Sequence, residues 1–273
     1  MNRRGFSLLE LLVAIVVSSI ILLAMASLFI GSNRAFRVNR DVSEMSEDVR
    51  NAITTLEFVF SRWGVGVPCA NNQCNIGNTI PPCGNQYPPA DPMCMDINNN
   101  TVSFYANLYG FGFVQNVAGG VANIISCRLN SGQNQNCYYV WRSARLESGF
   151  DINGRPIAVR LPNFNGQPDC IANSNPNLSI NANLTTSAGG NMVLQTGDYI
   201  SRAPHMITLR LQGGWLVMDR VDMGTGCTDN ENAVLIGMVE NFQVQTQGRS
   251  VIVNATFVSA DGRRYPITRI YGR

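Results

Sequence analysis

An uncharged run of 23 residues, from Leu11 to Asn33, limits the possible folds of this chain more than any other feature. As a helix the run extends about 35 Å, which is enough to cross the hydrocarbon core of a bilayer. Arg3 and Arg4 precede it, and basic residues beside an apolar segment favour the cytoplasmic side of a membrane. We therefore expect a transmembrane helix over residues 6–33, with the bulk of the chain on the far side of the lipid bilayer.

The helix is predicted to continue beyond the membrane as an amphipathic half, residues 34–63. Apolar residues recur in steps of three and four from Val38 to Trp63, which is the spacing of one helix face. The first proline of the chain is Pro68. One helix from Phe6 to Trp63 would be about 87 Å long. A coiled-coil stalk is the alternative for this stripe, but a helix that covers a sheet agrees better with the β-rich remainder.

Eight cysteines without a C-x-x-C pair predict disulfides rather than a zinc site, and therefore an oxidising compartment. If the cysteines were reduced core residues, the four that fall in the proline-rich segment 64–100 would have no core to join. From proximity along the chain we expect Cys127 to form a local pair with Cys137, and we expect a long-range pair between Cys170 and Cys227. The disulfide candidates are Cys69, Cys74, Cys83, Cys94, Cys127, Cys137, Cys170 and Cys227.

Residues 64–100 are predicted to form a Cys/Pro-rich loop, and residues 101–273 a β-rich head domain. Short β-branched and aromatic runs in the head are separated by turn signals. Gly213-Gly214 and Gly248-Arg249 are typical of hairpin turns, and Asp261-Gly262 marks a third turn. The polar, Asn-rich segment from Pro162 to Gly190 is expected to be a long exposed loop.

The composition excludes several classes of catalytic site. All 20 basic residues are arginine, so a lysine-containing phosphate loop and a Schiff-base lysine are impossible. His205 is the only histidine, and because no nucleophile can be assigned to it, we expect a surface or packing role. We predict no catalytic residue, no metal ligand and no cofactor, and we expect that the chain is not an enzyme.

Two weaker patterns are interpreted in structural terms. Asp96 to Asn100 and Asp151 to Gly154 contain part of a calcium-binding loop, but neither has the distal acid that such a loop requires, so turns are expected. Arginines near the C-terminus could contact phosphates, but few aromatic residues accompany them, so nucleic acid is not favoured as a partner. These arginines are Arg263, Arg264, Arg269 and Arg273.

Residues 3–14, with the sequence RRGFSLLELLVA, resemble the N-terminus of prepilins, the precursors of type IV pilins and type II secretion pseudopilins. The resemblance implies a leader of residues 1–5, cleavage between Gly5 and Phe6 by a prepilin peptidase, and N-methylation of Phe6. Arg3 and Arg4 would be the positive charges of that leader. A cleaved secretory signal peptide is the alternative, but its apolar core is usually only about 7 to 15 residues long.

Glu10 lies at the start of the apolar run, where an ionised carboxylate costs about 2.5 to 3.5 kcal/mol on insertion scales. Such a charge should seek a cation, and the new amino group of Phe6 is the one nearby. The resemblance implies that Glu10 and Phe6 form a charge pair during filament assembly, within one subunit or between neighbours. A snorkelling glutamate without a role is the alternative.

Weaker motifs extend the resemblance to PilW-type minor pilins. The segment Val234 to Gln245 is similar to their late motif, and Arg62-Trp63-Gly64 followed by Cys69 resembles the end of their helix. The resemblance implies a type IV pilus subunit that takes part in pilus initiation and assembly at the tip, in support of cell adhesion or twitching motility. Two alternatives stay open: a J-type pseudopilin in the periplasmic tip complex of a type II secretion system, and an exported disulfide-rich binding protein.

The implied partners are other minor pilins, the major pilin, the prepilin peptidase and the inner-membrane assembly platform. The implied location is the bacterial inner membrane, crossed once with the head in the periplasm, and then the pilus at the cell surface. The expected fold is α+β and pilin-like. A long N-terminal α-helix, with a transmembrane half and an amphipathic half, packs on an antiparallel β-sheet head with disulfide-stapled loops.

Overall fold

The computed structural model of the protein describes residues 47–70, 74–84, 86–126, 137–142, 156–161, 177–186, 188–224, 227, 229–259 and 261–272. The predicted leader, the transmembrane half of the helix and the first part of its amphipathic half lie outside these residues. Within these ranges no helix is both long enough and apolar enough to span a membrane. The expected long helix is therefore described only from residue 47 onward.

Helix α1 occupies residues 47–61 and carries the C-terminal part of the predicted amphipathic stripe. Its buried face consists of Val49, Ala52, Leu56, Val59 and Phe60, which recur at the helical spacing of three and four. The helix ends before Gly64, whose φ of +70° a glycine adopts without strain. The amide of Gly64 then donates to the carbonyl of Tyr105 at 2.9 Å. The helix prediction is confirmed over residues 47–61.

The described residues form fifteen β-strands, numbered here in chain order. They are β1 (Met95–Asn98), β2 (Thr101–Ala106), β3 (Phe111–Ala118), β4 (Val121–Ser126), β5 (Tyr138–Trp141), β6 (Pro156–Arg160), β7 (Asn177–Asn181), β8 (Asn183–Thr186), β9 (Asn191–Val193), β10 (Tyr199–Arg202), β11 (His205–Gln212), β12 (Trp215–Asp222), β13 (Glu231–Gln247), β14 (Ser250–Val258) and β15 (Arg264–Gly272).

Two antiparallel sheets contain these strands. The first has the order β1-β2-β11-β12-β13-β14-β15, and the second has the order β7-β4-β3-β10-β5-β6-β8-β9. The predicted turns at Gly213-Gly214, Gly248-Arg249 and Asp261-Gly262 connect β11 to β12, β13 to β14 and β14 to β15. The antiparallel β-sheets and the disulfides of the expected fold are thus confirmed.

Each sheet has its own hydrophobic core. Helix α1 covers one face of the first sheet, where Leu56 and Phe60 meet Phe104, Phe242 and Phe257 in one cluster of buried side chains. The second sheet has no described helix against it. Its core is made by side chains from its own strands, because the sheet curls on itself; these include Val114, Ile124, Val140, Val159, Leu184, Leu194 and Ile200.

Two sequence-based expectations for loops are wrong in part. The segment predicted as a long exposed loop contains β7 and β8, which are strands because Leu178, Ile180 and Leu184 alternate with polar residues and point into the second core. The asparagines that suggested a loop include Asn181 and Asn183, which are exposed. Likewise β1 lies in the last residues of the segment 64–100. Of the turn predicted over Asp96 to Asn100, the first three residues belong to β1, and only Asn99 and Asn100 form the turn to β2.

Candidate functional site

The N-terminal residues to which the sequence assigns a function lie outside the described residues. These are the leader charges Arg3 and Arg4, the cleavage site Gly5 and Phe6, and Glu10. The described structure begins fourteen residues after Asn33, where the predicted transmembrane half ends. The features described below therefore belong to the head and to helix α1, which leads into it.

Six of the eight candidate cysteines are described, and they form three disulfides: Cys69–Cys74, Cys83–Cys94 and Cys137–Cys227. The first two staple the Cys/Pro-rich loop, as the sequence predicts for these four residues. Cys127 and Cys170 lie outside the described residues. The two pairings expected from proximity, Cys127 with Cys137 and Cys170 with Cys227, are wrong because Cys137 and Cys227 are bonded to each other.

The way the strands pair explains why Cys137 is bonded to Cys227. Distances along the chain do not reveal this arrangement of strands. Strand β5 pairs with β10 so that Tyr138 faces Arg202, and the amide of Ala203 donates to the carbonyl of Cys137 at 2.6 Å. The chain then enters the first sheet as β11, whose partner β12 leads directly to Cys227. The disulfide therefore links the second sheet to the first at the place where the chain crosses between them.

A cluster of charged side chains lies beside this crossing. Arg202 ends β10, His205 begins β11, and Arg220 and Asp222 come from the end of β12. The guanidinium of Arg202 contacts a carboxylate oxygen of Asp222 at 3.0 Å and one of Asp229 at 3.5 Å. Arg220 contacts Asp229 at 3.0 Å. The cluster therefore joins residues of both sheets through charge-assisted contacts.

The protonation of this cluster is set by burial and by its own partners. Burial alone would raise the pKa of Asp229, but the Tyr109 hydroxyl, which donates to this carboxylate, and the guanidinium groups of Arg202 and Arg220 hold that pKa below its usual range. Burial, together with the hydrogen bond to Asp229, raises the pKa of Tyr109 to about 12. In this cluster Asp229 is therefore ionised and its neighbour Tyr109 is neutral.

His205 lies in the centre of the network and has no exposed surface. Its Nε2 atom is 3.3 Å from a carboxylate oxygen of Asp229 and 3.9 Å from one of Asp222, yet neither ring nitrogen has a hydrogen-bond partner among the described residues. Burial lowers the pKa of His205, against the attraction of the two carboxylates. Of the two roles expected for this residue, the structure therefore shows the packing role.

The network does not favour a metal ion or a nucleophile. The ligand atoms of His205, Asp222 and Asp229 lie within 4.8 Å of one another, but Arg202 occupies the space between the two carboxylates, and its positive charge opposes a cation there. Cys137 and Cys227 are close to Asp222, but a disulfide offers no thiolate for catalysis or ligation. The arrangement is suited to holding the two sheets together.

A groove of about 330 Å³ lies where helix α1 enters the head. Its walls come from the first described turns of the helix, including Asp48 and Ala52, and from strands β12, β13 and β14. Trp215 and Met238 are on its rim, 37% and 39% exposed. Among the described residues that line the groove, Asp48 is the only charged one, and it forms no ion pair with another described residue. The groove is thus mainly apolar, with one free negative charge.

The C-terminal arginines are already paired with carboxylates where the structure describes them. Arg263 contacts Asp261 at 2.9 Å, Arg264 contacts Glu240 at 2.7 Å, and Arg269 contacts Glu57 at 2.6 Å; Arg273 lies outside the described residues. These three side chains therefore carry little unbalanced positive charge.

Comparison with known proteins adds two findings. Residues 1–26 match the family described as "Prokaryotic N-terminal methylation motif". An uncharacterised protein of Aquifex aeolicus (strain VF5) is 31% identical to this chain over 215 residues, which cover 76% of this chain and 72% of that protein. No solved structure matches the chain.

The buried network and the groove were not found from the sequence, because no local pattern marks residues that strand pairing brings together.

Proposed function

The chain belongs to one family with this Aquifex aeolicus protein and is an exported, membrane-associated protein of the type IV pilin-like or pseudopilin kind, and from this premise we propose that it is a PilW-type minor pilin. It takes part in the initiation and assembly of a type IV pilus and stays at the tip of the filament. The methylation motif over residues 1–26 is the observation that carries the proposal.

The order of the chain's parts supports a role in assembly. The motif is followed by an uncharged run of 23 residues, and the chain then reaches helix α1, which packs on an antiparallel sheet. The leader is removed between Gly5 and Phe6, and Phe6 is methylated. The apolar segment waits in the inner membrane with the head in the periplasm, and then joins a bundle of similar helices.

The charge pair between Glu10 and the amino group of Phe6 fixes the axial position of each helix in this bundle. A carboxylate in an apolar environment is costly, so it favours the position in which it meets the positive amino group of Phe6. A Glu10→Ala variant should still be processed at Gly5 but should be largely lost from filaments. Glu47→Ala removes an exposed acid of helix α1 and is the matched control, which should enter filaments normally.

N-terminal analysis of the mature chain tests processing. Mass spectrometry should find methylated Phe6 as the first residue. A mature chain that begins near Ser27 would show an ordinary signal peptide, and the chain would then be an exported disulfide-rich binding protein.

The cellular location of the chain distinguishes a minor pilin from a pseudopilin, the two kinds of subunit that share the motif. A minor pilin should be present in filaments sheared from the cell surface, together with the major pilin, and its deletion should abolish or reduce piliation. If the deletion leaves piliation intact but stops the secretion of folded proteins across the outer membrane, the chain is the J-type pseudopilin instead.

The proposed partners follow from this assignment. The prepilin peptidase processes the leader, the inner-membrane assembly platform receives the subunit, and other minor pilins and the major pilin contact it in the filament. The proposal includes no catalytic step and no cofactor. The buried network at the sheet junction has a structural role in it, because the head has to keep one shape during assembly.

A further inference from the structure

We propose that the free edge of strand β15 binds an extended strand of a different subunit of the same filament through backbone hydrogen bonds. Strand β15 is the last strand of the first sheet, and among the described strands it pairs with β14 alone. The inference rests on the proposed function, because it is the filament that brings another subunit beside the head.

The register of β15 shows which of its backbone groups face outward. Pro266 lies opposite Thr256 of β14, and because proline has no N–H to donate, this pair is of the kind that exchanges no hydrogen bonds. The two kinds of pair alternate along an antiparallel ladder, so Thr268 and Ile270 also direct their N–H and C=O groups away from β14. The outward carbonyl of Thr268 accepts from the guanidinium of Arg269 at 3.3 Å.

The second half of this edge lacks the features that normally keep an edge strand from pairing, which are proline, charged side chains and short length. Arg264 and Pro266 protect the first half of β15. Residues 268–272 contain no proline, and their one charged residue, Arg269, contacts Glu57 of helix α1. This half of the edge is therefore open to a further strand.

The outer face beside the open edge is uncharged, and this defines the partner strand. Ile270 is 68% exposed and lies opposite Ile252 of β14. The hydroxyl of Thr268 donates to the side chain of Asn254 at 2.8 Å. Neighbouring side chains on one face of a sheet contact each other across strands. We therefore expect the partner strand to place a β-branched or aromatic side chain beside Ile270.

The opposite edge of the first sheet is covered by the chain itself. At β1 the amide of Met95 donates to the carbonyl of Pro81 at 2.9 Å, and Asp96 accepts from the amide of Cys83 at 3.0 Å. The edge strands of the second sheet, β7 and β9, have five and three residues, against nine for β15. Strand β15 of one copy therefore cannot join β1 of the next, and the contact does not propagate through the first sheet.

Pairing of β15 with β15 of a second copy does not suit the filament either. In an antiparallel pair the two-fold axis is normal to the sheet, so helix α1, which lies on the sheet, would run in opposite directions in the two copies. In a parallel pair the two helices would lie on opposite faces of the joined sheet. Helices that start in one membrane and join one bundle allow neither arrangement, so the partner is a different chain.

Photo-crosslinking of the full chain in the cell envelope tests the proposal. p-Benzoylphenylalanine in place of Ile270 should link to a second protein that carries the N-terminal methylation motif, and mass spectrometry should identify both peptides. The same probe at Val193, which is 53% exposed in the edge strand β9, should not give this product. A link only to a second copy of this chain, a link only to a protein without the motif, or no link would overturn the inference.

Proline at position 268 tests the backbone bonds. Thr268→Pro removes one outward N–H and should reduce the product about fivefold or more, the loss expected for one hydrogen bond. Thr268→Val is the matched control, because it loses the same side-chain hydrogen bond to Asn254 but keeps the N–H, and the yield should not change. Equal yields for the two variants would show that β15 does not pair through its backbone.

A second pair of variants tests the edge without a change in the backbone. With the probe at position 268, Ile270→Arg places a charge beside the edge and should reduce the product by a similar factor. Gln245→Arg places the same charge in the same row of the sheet, two strands away from the edge, and should have no effect. Equal effects of the two arginines would place the contact on the outer face and remove the inference.

These outcomes can be told apart from a failure of the proposed function. A methylated Phe6 and normal entry into sheared filaments, without the product from position 270, would leave the minor pilin proposal standing and remove this inference. A mature chain that begins near Ser27 would remove both. A non-reducing peptide map that retains the Cys137–Cys227 link shows that each variant is folded.

Discussion

At the scale of single residues, the buried charges of this head lie where distant segments of the chain meet. The carboxylate of Asp91 has no exposed surface and contacts the guanidinium of Arg249, and it also accepts a hydrogen bond from the amide of Met93 at 2.9 Å. The neighbouring Gly248 carbonyl accepts from the amide of Ile80 at 3.1 Å. Together these contacts hold the Cys/Pro-rich loop on the turn between β13 and β14.

Removal of Arg249 should therefore be costly. Arg249→Met leaves the buried Asp91 carboxylate without its counter-charge, and we expect the free energy of unfolding to fall by about 3 kcal/mol. Chemical denaturation with the disulfides intact measures this loss in the free energy of unfolding. Asp91→Asn in the same chain should recover part of the loss. Arg263→Met breaks an ion pair whose arginine is 60% exposed and should change the stability by less than about 1 kcal/mol; equal effects of the two arginine variants would contradict the prediction.

The buried imidazole of His205 should make stability depend on pH. Its folded-state pKa is lowered by burial, while the unfolded chain has the ordinary value of about 6.5. As the pH falls below about 6.5, the unfolded state binds a proton that the folded state does not, so the stability falls by up to about 1.4 kcal/mol per pH unit. This loss continues until the folded-state pKa is reached.

A His205→Asn variant provides the measurement. Because His205 is the only histidine, unfolding curves between pH 7.5 and about pH 5 should slope for the wild-type chain and be nearly flat for the variant. The aspartates with lowered pKa, such as Asp229, lose their contribution at lower pH and so do not interfere. A wild-type stability that rises as the pH falls would show that the carboxylates near His205 outweigh its burial.

At the scale of secondary-structure elements, the helix lies very close to the sheet at Gly237. A Cβ atom at this position of β13 would lie 2.7 Å from the Cβ of Ala52 and 3.3 Å from the ring of Phe257. Two small residues, one in the helix and one in the strand, thus allow this close approach. The spacing of the apolar stripe predicted which face of the helix is buried, but it did not predict how closely the helix packs.

Gly237→Ala should push the helix away from the sheet. We expect a loss of about 1 to 3 kcal/mol in the free energy of unfolding, because an added methyl group overpacks this contact. Ala52→Gly in the same chain should recover part of the loss. Gly77→Ala is the matched control, since an added Cβ there meets nothing closer than 3.9 Å. A similar loss at Gly77 would mean that the effect arises from the backbone and not from this contact.

Most strands of the first sheet could be predicted from the sequence, because their apolar residues alternate and glycine turns bound them. Strands β7 and β8 were missed, since half of their polar residues are asparagine, which is also typical of loops. The strand partners could not be predicted. In the first sheet β2 lies next to β11, and nothing local in the sequence indicates a pairing across that distance.

At the scale of the whole molecule, two curved sheets are joined at one junction. The chain crosses between them from β2 to β3 and from β10 to β11, and the side chain of Asn107 in the first crossing donates to the carbonyl of Arg202 beside the second at 2.9 Å. The charged network and the Cys137–Cys227 disulfide lie at the same place. The sequence indicated the disulfides as a set, but the pairing depends on this three-dimensional junction.

The junction disulfide should stabilise the molecule more than the local ones. Cys137–Cys227 closes a separation of 90 residues and Cys69–Cys74 one of 5, so in the chain-entropy description the losses on removal are about 4.6 kcal/mol and about 2 kcal/mol. Two variants, each with both cysteines of one disulfide changed to alanine, can be compared by chemical denaturation. The variant without Cys137–Cys227 should lose more stability than the variant without Cys69–Cys74. The reverse order would show that the junction is held mainly by its charged network.

The core beneath helix α1 is completed by residues from the opposite end of the chain. Ala52 meets Gly237, Phe60 stacks on Tyr271 with ring centroids 4.9 Å apart, and Glu57 pairs with Arg269. Ribosomes make helix α1 before strands β13 to β15, so the apolar face of the helix stays uncovered until β15 has been translated and exported. A chain that stops before β15 therefore presents that face to proteases and chaperones.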